Sequence, residues 1–152
     1  MENMKSRLFN TRDTVTGLIL RLTLGLIFLP HGLQKTVGWF GGAGFEQTIK
    51  IFTEQTQLPF MVSCLVIVVE FVGAICLILG FATRFWAISY IGLLLGILFI
   101  AHLPYGFFMN WTGTQGGEGC QFDLMAIGIA LALVFEGGGK YAVDRYMAHG
   151  IT

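Results

Sequence analysis

The sequence is poor in charge. Only 12% of its 152 residues are Asp, Glu, Lys or Arg, whereas a soluble protein of this size carries about 25%. Nine basic and nine acidic residues cancel, so no excess of positive charge points to nucleic acid as a partner. Hydrophobic residues make up 55% of the chain. The composition therefore predicts an integral membrane protein with the lipid bilayer as its surroundings.

The sequence is also poor in groups that hold metals or carry electrons. Its three cysteines, Cys64, Cys76 and Cys120, form no CxxC pair, which argues against a dithiol redox site or a zinc knuckle. Two histidines and a carboxylate could hold a metal, but no HxxxH or HxxE spacing supports one, and no metal site is predicted. No haem or flavin motif is visible, so a redox function would need electrons from a partner or an external donor.

Four long apolar stretches are each predicted to form a membrane-spanning helix, at residues about 14–33, 58–81, 85–103 and 120–136. About 20 residues cross a ~30 Å hydrocarbon core at ~1.5 Å per residue, and the fourth stretch is shorter. Arg21 interrupts the first stretch and no A-x-A-like cleavage site follows it, so we expect a retained span rather than a signal peptide. Pro30 should kink or end this helix near His31. Gly92 and Gly96 form a GxxxG pair of the kind that packs membrane helices.

A connector between the first two spans is predicted to be an amphipathic helix. Phe45, Ile49 and Phe52 recur at helical spacing, and polar residues take the other face, as in helices that lie in the membrane interface. The whole chain, residues 1–152, is therefore predicted to be one all-α domain. Its fold would be an integral membrane four-helix bundle with an outer interfacial helix.

The distribution of basic residues predicts the orientation. Six lie on the side that would hold both termini: Lys5, Arg7, Arg12, Arg84, Lys140 and Arg145. The other side holds only Lys35 and Lys50. The positive-inside rule then places both termini in the cytoplasm.

Two charges lie inside the predicted spans. Arg21 shares a helical stripe of small residues with Gly17, Gly25 and Gly32, which we interpret as a helix-packing face. A lone arginine at the bilayer centre costs about 2.5–3.5 kcal/mol. Counted from the ends of their spans, Arg21 and Glu70 lie at similar depth, so we expect a buried ion pair between them. Such a pair would either fix the helix pairing or serve as a proton or quinone-carbonyl site.

Polar and aromatic residues gather where the spans end on the outer side. His31 and His102 end two spans there, and Gln34 and Lys35 follow His31. Trp39, Phe107 and Phe108 would supply aromatic walls. One interpretation is an aromatic belt whose histidines bond to backbone carbonyls. The other is a pocket open to the outer leaflet in which both histidines donate to the oxygens of a bound quinone.

These residues resemble the DoxX family of small four-helix membrane proteins. The likeness runs over roughly residues 15–145 and is carried by Leu20-Arg21-Leu22, His31-Gly32-Leu33-Gln34-Lys35, Phe40-Gly41-Gly42-Ala43-Gly44, Glu70, Gly80-Phe81-Ala82-Thr83-Arg84, His102 and Gly137-Gly138-Gly139-Lys140-Tyr141. The resemblance implies a subunit of a membrane oxidoreductase system, since the relative that gives the family its name is tied to thiosulfate:quinone oxidation. We expect it in a bacterial or archaeal cytoplasmic (inner) membrane.

Three functions are consistent with the sequence. The first is a quinone-linked oxidoreductase subunit, with His31, His102, Arg21 and Glu70 as catalytic residues and Gln34, Lys35, Trp39, Phe107 and Phe108 around the quinone. The second is a non-catalytic scaffold or accessory subunit that docks a protein partner or a second copy of the chain. The third, a small transporter with a midplane ion pair, has less support because no repeat and no broken helix is visible.

Overall fold

The computed structural model describes residues 11–149, except for the side chain of His149, and all secondary structure in that range is helical. We label the helices α1 (Val15–Thr36), α2 (Gly44–Lys50 continued by Ile51–Gln55), α3 (Phe60–Leu79), α4 (Thr83–Tyr105), α5 (Gln121–Glu136) and α6 (Val143–His149). The all-α prediction is confirmed for this part of the chain. Lys5 and Arg7, which entered the orientation argument, lie outside it.

Three helices, α1, α3 and α4, are long and apolar enough to cross a membrane. They confirm the first three predicted spans. The fourth predicted span is the helix α5, but its 16 residues are too few to cross a ~30 Å core unaided at ~1.5 Å per residue. Pro30 lies inside α1 and does not end it, because α1 continues to Thr36. Membrane helices tolerate such a proline when neighbouring groups satisfy the backbone.

Helices α1 and α3 pack antiparallel through glycines, as the stripe of small residues predicted. A Cβ atom added to Gly32 would lie 2.6 Å from the Cα atom of Phe71, and one added to Gly25 would lie 3.0 Å from the carbonyl oxygen of Ala74. Both glycines are buried. Any larger residue would push the helices apart, so these contacts fix the register of α1 against α3.

The core lies between α1, α3, α4 and α5. Tyr90 on α4 is its largest fully buried side chain, and the same buried cluster contains one leucine from each of the four helices, namely Leu24, Leu77, Leu94 and Leu133. Small residues let the helices approach closely, and among them Ala87, Ala126 and Ala130 are buried. The long loop of residues 106–120 and the helix α2 lie at one end of this bundle, which we call the loop end.

The opposite end, which we call the tail end, holds the first described residues, the turn at Gly80, the glycines Gly137–Gly139 and α6. The backbone N–H of Lys140 donates to the carbonyl of Thr14 at 2.9 Å, and that of Asp144 donates to the carbonyl of Gly80 at 2.9 Å. The two ends of the described chain therefore meet beside the turn that joins α3 to α4.

Arg21 organises the tail end. Its Nε atom donates to the carbonyl of Gly138 at 2.8 Å, Nη1 to those of Leu77 (3.1 Å) and Ile78, and Nη2 to that of Lys140 at 3.2 Å. The guanidinium thus caps the carboxyl end of α3, where a cation also complements the helix dipole.

The predicted ion pair between Arg21 and Glu70 is wrong. The described hydrogen-bond partners of the Arg21 side chain are all main-chain carbonyls. The physical reason is register. Helix α3 ends level with Arg21, so Glu70 lies about two turns farther toward the loop end, at ~1.5 Å per residue.

Removing the guanidinium should destabilise the bundle. We expect Arg21→Met to lower the free energy of unfolding by roughly 3 kcal/mol or more, because each buried carbonyl left without a donor costs about 1–3 kcal/mol. Unfolding in a detergent titration, followed by circular dichroism, measures the loss. Arg12→Met is the matched control, since Arg12 is exposed and its ion pair with Glu136 should contribute only about 0–1 kcal/mol. An equal loss in both variants would contradict this role for Arg21.

Candidate functional site at the loop end

A buried ion pair joins α1 to α3 near the loop end. The Nζ atom of Lys35, in the last turn of α1, lies 2.5 Å from the Oε2 atom of Glu70. The side chain of Glu70 is 3% exposed and that of Lys35 is 22% exposed. Each charge would be costly alone among apolar helices, and the ion pair offsets the cost of burying both side chains.

Sequence reasoning missed this pairing, although it singled out both residues. Depth had been counted from the ends of the predicted spans, and this made Arg21 the nearest cation. In the structure, Gly32 lies against Glu70 and Phe71, and Lys35 follows Gly32 by one helical turn. The glycine stripe therefore sets the register of α1 against α3, because its close contacts decide which residues of the two helices face each other.

His31 lies beside this pair. It is one helical turn before Lys35 on α1, and its ring is 5.8 Å from that of Phe28. Phe28 in turn contacts Tyr90, with ring centroids 4.9 Å apart. The hydroxyl of Tyr90 donates to the backbone carbonyl of Glu70 at 3.3 Å. His31 is exposed, so it stands between the buried pair and the outside of the protein.

A second polar pair joins α4 to α5. The Nδ1 atom of His102 lies 2.6 Å from the Oδ2 atom of Asp123. Asp123 is 1% exposed and His102 is 24% exposed. Asp123 lies in the first turn of α5, where the helix dipole favours a carboxylate. With Asp123 ionised, Nδ1 carries the hydrogen atom, and Nε2 is the atom left to face another group.

Glu70 and His102 share a backbone feature that the sequence does not reveal. Glu70 lies in the π-helical turn Val69–Gly73, and His102 lies in the π-helical turn Leu98–His102. Such turns occur frequently at functional sites, where the extra residue re-aims side chains. The third π-helical turn within residues 11–149 is Ile51–Gln55 of α2.

The remaining predicted residues do not form an enclosed pocket. Gln34 donates through Nε2 to the carbonyl of Phe40 at 3.3 Å, and this contact holds the turn after α1. Phe107 and Phe108 pack edge to face, with centroids 5.2 Å apart. Both of them and Trp39 are more than half exposed. These aromatic side chains are therefore surface groups at the loop end.

A cavity of about 450 Å³ lies elsewhere, between α3 and α4 and under α2. Its lining is apolar, apart from the hydroxyls of Thr56 and Ser89, and includes none of the predicted pocket residues. Two of its residues, Val69 and Ala101, directly adjoin Glu70 and His102 in the sequence. The cavity thus runs beside both π-helical turns that carry the polar pairs.

Comparison with known proteins gives a family for this chain and a cellular location for two of its relatives. The family model described as DoxX matches residues 16–103. "Putative oxidoreductase CatD" of Bacillus subtilis is 26% identical over 141 residues, covering 93% of each chain. "Inner membrane protein YqjF" of Escherichia coli is 28% identical and covers 89% of this chain and 94% of its own. "Inner membrane protein YphA" of the same organism is also 28% identical, with 90% and 94% covered. No solved structure matches the chain.

The Lys35–Glu70 pair should show energetic coupling in a double-mutant cycle. Lys35→Met leaves the Glu70 carboxylate buried without its cation, and we expect a loss of roughly 3 kcal/mol, the low end for buried pairs because Lys35 keeps some exposure. The double variant Lys35→Met with Glu70→Gln should recover most of that loss. Lys50→Met is the control, because Lys50 is exposed on α2.

Detergent unfolding of the four proteins measures the cycle. Additive losses from the Lys35 and Glu70 substitutions would mean that the two side chains are not partners.

Proposed function

The chain belongs to the DoxX family, and from that premise we propose that it is an integral inner-membrane subunit of a quinone-linked oxidoreductase system. The observation that carries the proposal is the pair of π-helical turns, which present Glu70 and His102 with their partners Lys35 and Asp123 at one end of a membrane bundle. Buried ionisable groups within membrane helices are costly, and by default they mark a functional site.

In this proposal α5 completes the bundle as a fourth span. Asp123 near its start and Glu136 at its end are its only charged residues, and its close packing on α4 gives it protein rather than lipid on one side. The helix α2 would lie in the interface at the loop end, with Phe45 exposed toward lipid and Thr48 buried against the bundle.

Both termini would be cytoplasmic. Of the basic residues that the structure describes, Arg12, Arg84, Lys140 and Arg145 lie on segments at the tail end, and Lys35 and Lys50 lie toward the loop end. The excess at the tail end supports a cytoplasmic location for it under the positive-inside rule. The polar pairs would then lie toward the outer face of the membrane.

The residues present suit a membrane quinone, which needs apolar space for its hydrocarbon tail and hydrogen-bond donors for its two oxygens. The cavity of about 450 Å³ is within the range of small-molecule pockets. Candidate donors at the same end of the bundle are His102, His31 and Lys35, none of which belongs to the lining of the cavity. A bound quinone would supply two-electron, two-proton redox chemistry.

Each polar residue has a distinct task in this proposal. His102 donates from Nε2 to a ligand oxygen, and Asp123 acts as a positioning residue that holds its ring and tautomer. Glu70 and Lys35 hold an exchangeable proton in the apolar interior, and the exposed His31 passes protons between this pair and water. Arg21 has no part in the chemistry, because its donors serve carbonyls at the tail end.

Electrons would come from a protein partner or an external donor. The three cysteines are free thiols, Cys64 and Cys76 on α3 and Cys120 just before α5, and they give no dithiol pair. The oxidoreductase role is supported by the printed name of one relative at 26% identity, and the names of the other two give a location only.

The alternative is a scaffold or accessory subunit that docks a partner or a second copy of the chain. The exposure of Trp39, Phe107 and Phe108 favours it, because exposed aromatic side chains at one end are typical of protein interfaces. Purification in mild detergent separates the two functions. Bound quinone supports the first, whereas a stoichiometric protein partner without quinone supports the second.

Removal of His102 or its partner should weaken quinone binding. We expect the dissociation constant of a tail-less soluble quinone analogue to rise about tenfold in His102→Ala and in Asp123→Asn. A tenfold rise corresponds to about 1.4 kcal/mol, which is within the range for the loss of one hydrogen bond. His31→Ala should show a smaller rise. Isothermal titration in detergent measures the constants, and Glu46→Gln, which removes an exposed carboxylate on α2, is the control. Equal affinity in all variants with an intact fold would reject the quinone site.

The orientation has its own test. We expect an impermeant thiol reagent to label Gln47→Cys on α2 in intact cells and to leave Tyr146→Cys on α6 unlabelled until the cells are opened. Both side chains are exposed, and a background without the native cysteines removes other thiols. The reverse labelling pattern would show that the tail end faces outward.

A further inference from the structure

We infer that the groove between α3 and α4 is a binding slot for the isoprenoid tail of a membrane quinone. This inference rests on the proposed function for the choice of head group. It goes further in stating that the ligand is a long-chain molecule that enters sideways from the bilayer, rather than a soluble quinone that arrives from water.

Two glycines create the groove. Gly92 and Gly96 lie one helical turn apart on α4, and a Cβ atom added to either would meet no atom within 4 Å. Their spacing predicted a helix-packing motif, but both glycines line the cavity and no helix of the described chain packs on them. Leu93 and Ile97 lie beside them in the lining, and Val66 and Val69 face them from α3.

Neither hydroxyl group in the lining of the groove needs a hydrogen-bond partner from a ligand. The hydroxyl of Ser89 donates to the carbonyl of Phe85 at 3.0 Å, and that of Thr56 donates to the carbonyl of Phe52 at 2.6 Å. Both hydroxyls therefore have partners within their own helices. A hydrocarbon chain fills such a site without leaving any buried polar group unsatisfied.

The shape favours a single chain over a second transmembrane helix. Phe52, Thr56 and Leu58 roof the groove at the loop end. A helix of about 10–12 Å diameter that followed the GxxxG pair across the bilayer would collide with this roof. A flexible chain can enter from the side between α3 and α4 and lie beneath the roof.

The surroundings favour a quinone tail over a phospholipid acyl chain. Val69 and Ala101 of the lining lie in the same π-helical turns as Glu70 and His102, so the tail would lie along the turns that carry the groups proposed for the quinone oxygens. No lysine or arginine belongs to the lining, so nothing in the groove would hold a lipid phosphate.

Filling the groove tests the inference. Gly96→Leu and Gly92→Leu place a side chain in open space on a helix, and Gly128→Leu is the matched control, because a Cβ atom there also meets no atom within 4 Å and Gly128 lies on α5, outside the groove. The probe is a long-chain isoprenoid quinone with a photoreactive diazirine at the end of its tail. Protein in detergent is cross-linked, and the modified peptides are mapped by mass spectrometry.

We expect cross-links in residues 62–69 and 92–101, at least tenfold reduced in Gly92→Leu and Gly96→Leu and unchanged in Gly128→Leu. An excess of long-chain quinone should compete, and an excess of phospholipid should not. Cross-links spread over α5, unchanged yields in the groove variants, or equal competition by phospholipid would each overturn the inference.

The tail-less analogue separates this inference from the proposed function. It should bind Gly96→Leu as well as it binds wild type, because the substitution touches only the tail slot. If the analogue binds wild type but the tail probe shows no groove cross-links, the slot is wrong and the quinone function stands. If the tail probe marks the groove but the analogue binds no protein, the head-group site is wrong.

Discussion

The fold depends on where a membrane protein can place one arginine. A guanidinium has five N–H donors and no acceptor, so in an apolar bundle it must find several acceptors at once. Arg21 finds them where helices end, since the last carbonyls of a helix have no partner inside it. The end of α3 and the glycine segment Gly137–Gly139 supply these carbonyls. One charge thereby joins α1, α3 and the segment after α5.

Asp144 places a negative charge at the amino end of α4, just as Arg21 places a positive charge at the carboxyl end of α3. Its carboxylate accepts from the backbone N–H groups of Ala82 (2.6 Å) and Thr83 (2.8 Å) at the start of α4. The turn between α3 and α4 thus lies between a cation at a carboxyl end and an anion at an amino end, as the two helix dipoles prefer. Gly80 allows the close approach, because a Cβ atom there would lie 2.6 Å from that of Ala142 and its φ of +71° is left-handed.

The tail-end contacts also decide what meets at the loop end. With Arg21 level with Leu77, antiparallel packing brings Gly32 to Phe71 and Lys35 to Glu70. The contacts of Arg21 that stabilise the tail end therefore set the register in which a charge pair forms at the other end of the same two helices. The structural task and the proposed chemical task fall to different residues, whereas the sequence suggested one or the other task for an Arg21–Glu70 pair.

Composition and periodicity predicted the helices α1, α3 and α4 and the glycine face of α1, because apolar length and small-residue spacing are local properties. They could not predict the π-helical turns at Glu70 and His102, which arise from a one-residue offset in backbone hydrogen bonding that side-chain pattern does not report. They also could not tell what faces Gly92 and Gly96, since a GxxxG pair looks the same in the sequence whether a helix or open space faces it, and no helix of the described chain packs on these glycines.

The two polar pairs and the groove share one construction. At Glu70 and at His102 the widened π-helical turn lets a helix present a polar side chain to a neighbouring helix, while Val69 and Ala101 in the same turns line apolar space. In a regular α-helix each residue is rotated by about 100° from the one before it. A π-helical turn changes this rotation at one place, so that a polar residue and its apolar neighbour can each face a suitable environment. In the proposed function, two such turns on adjacent helices, with a groove between them, would bring an apolar ligand close to protonatable groups without opening the bundle to water.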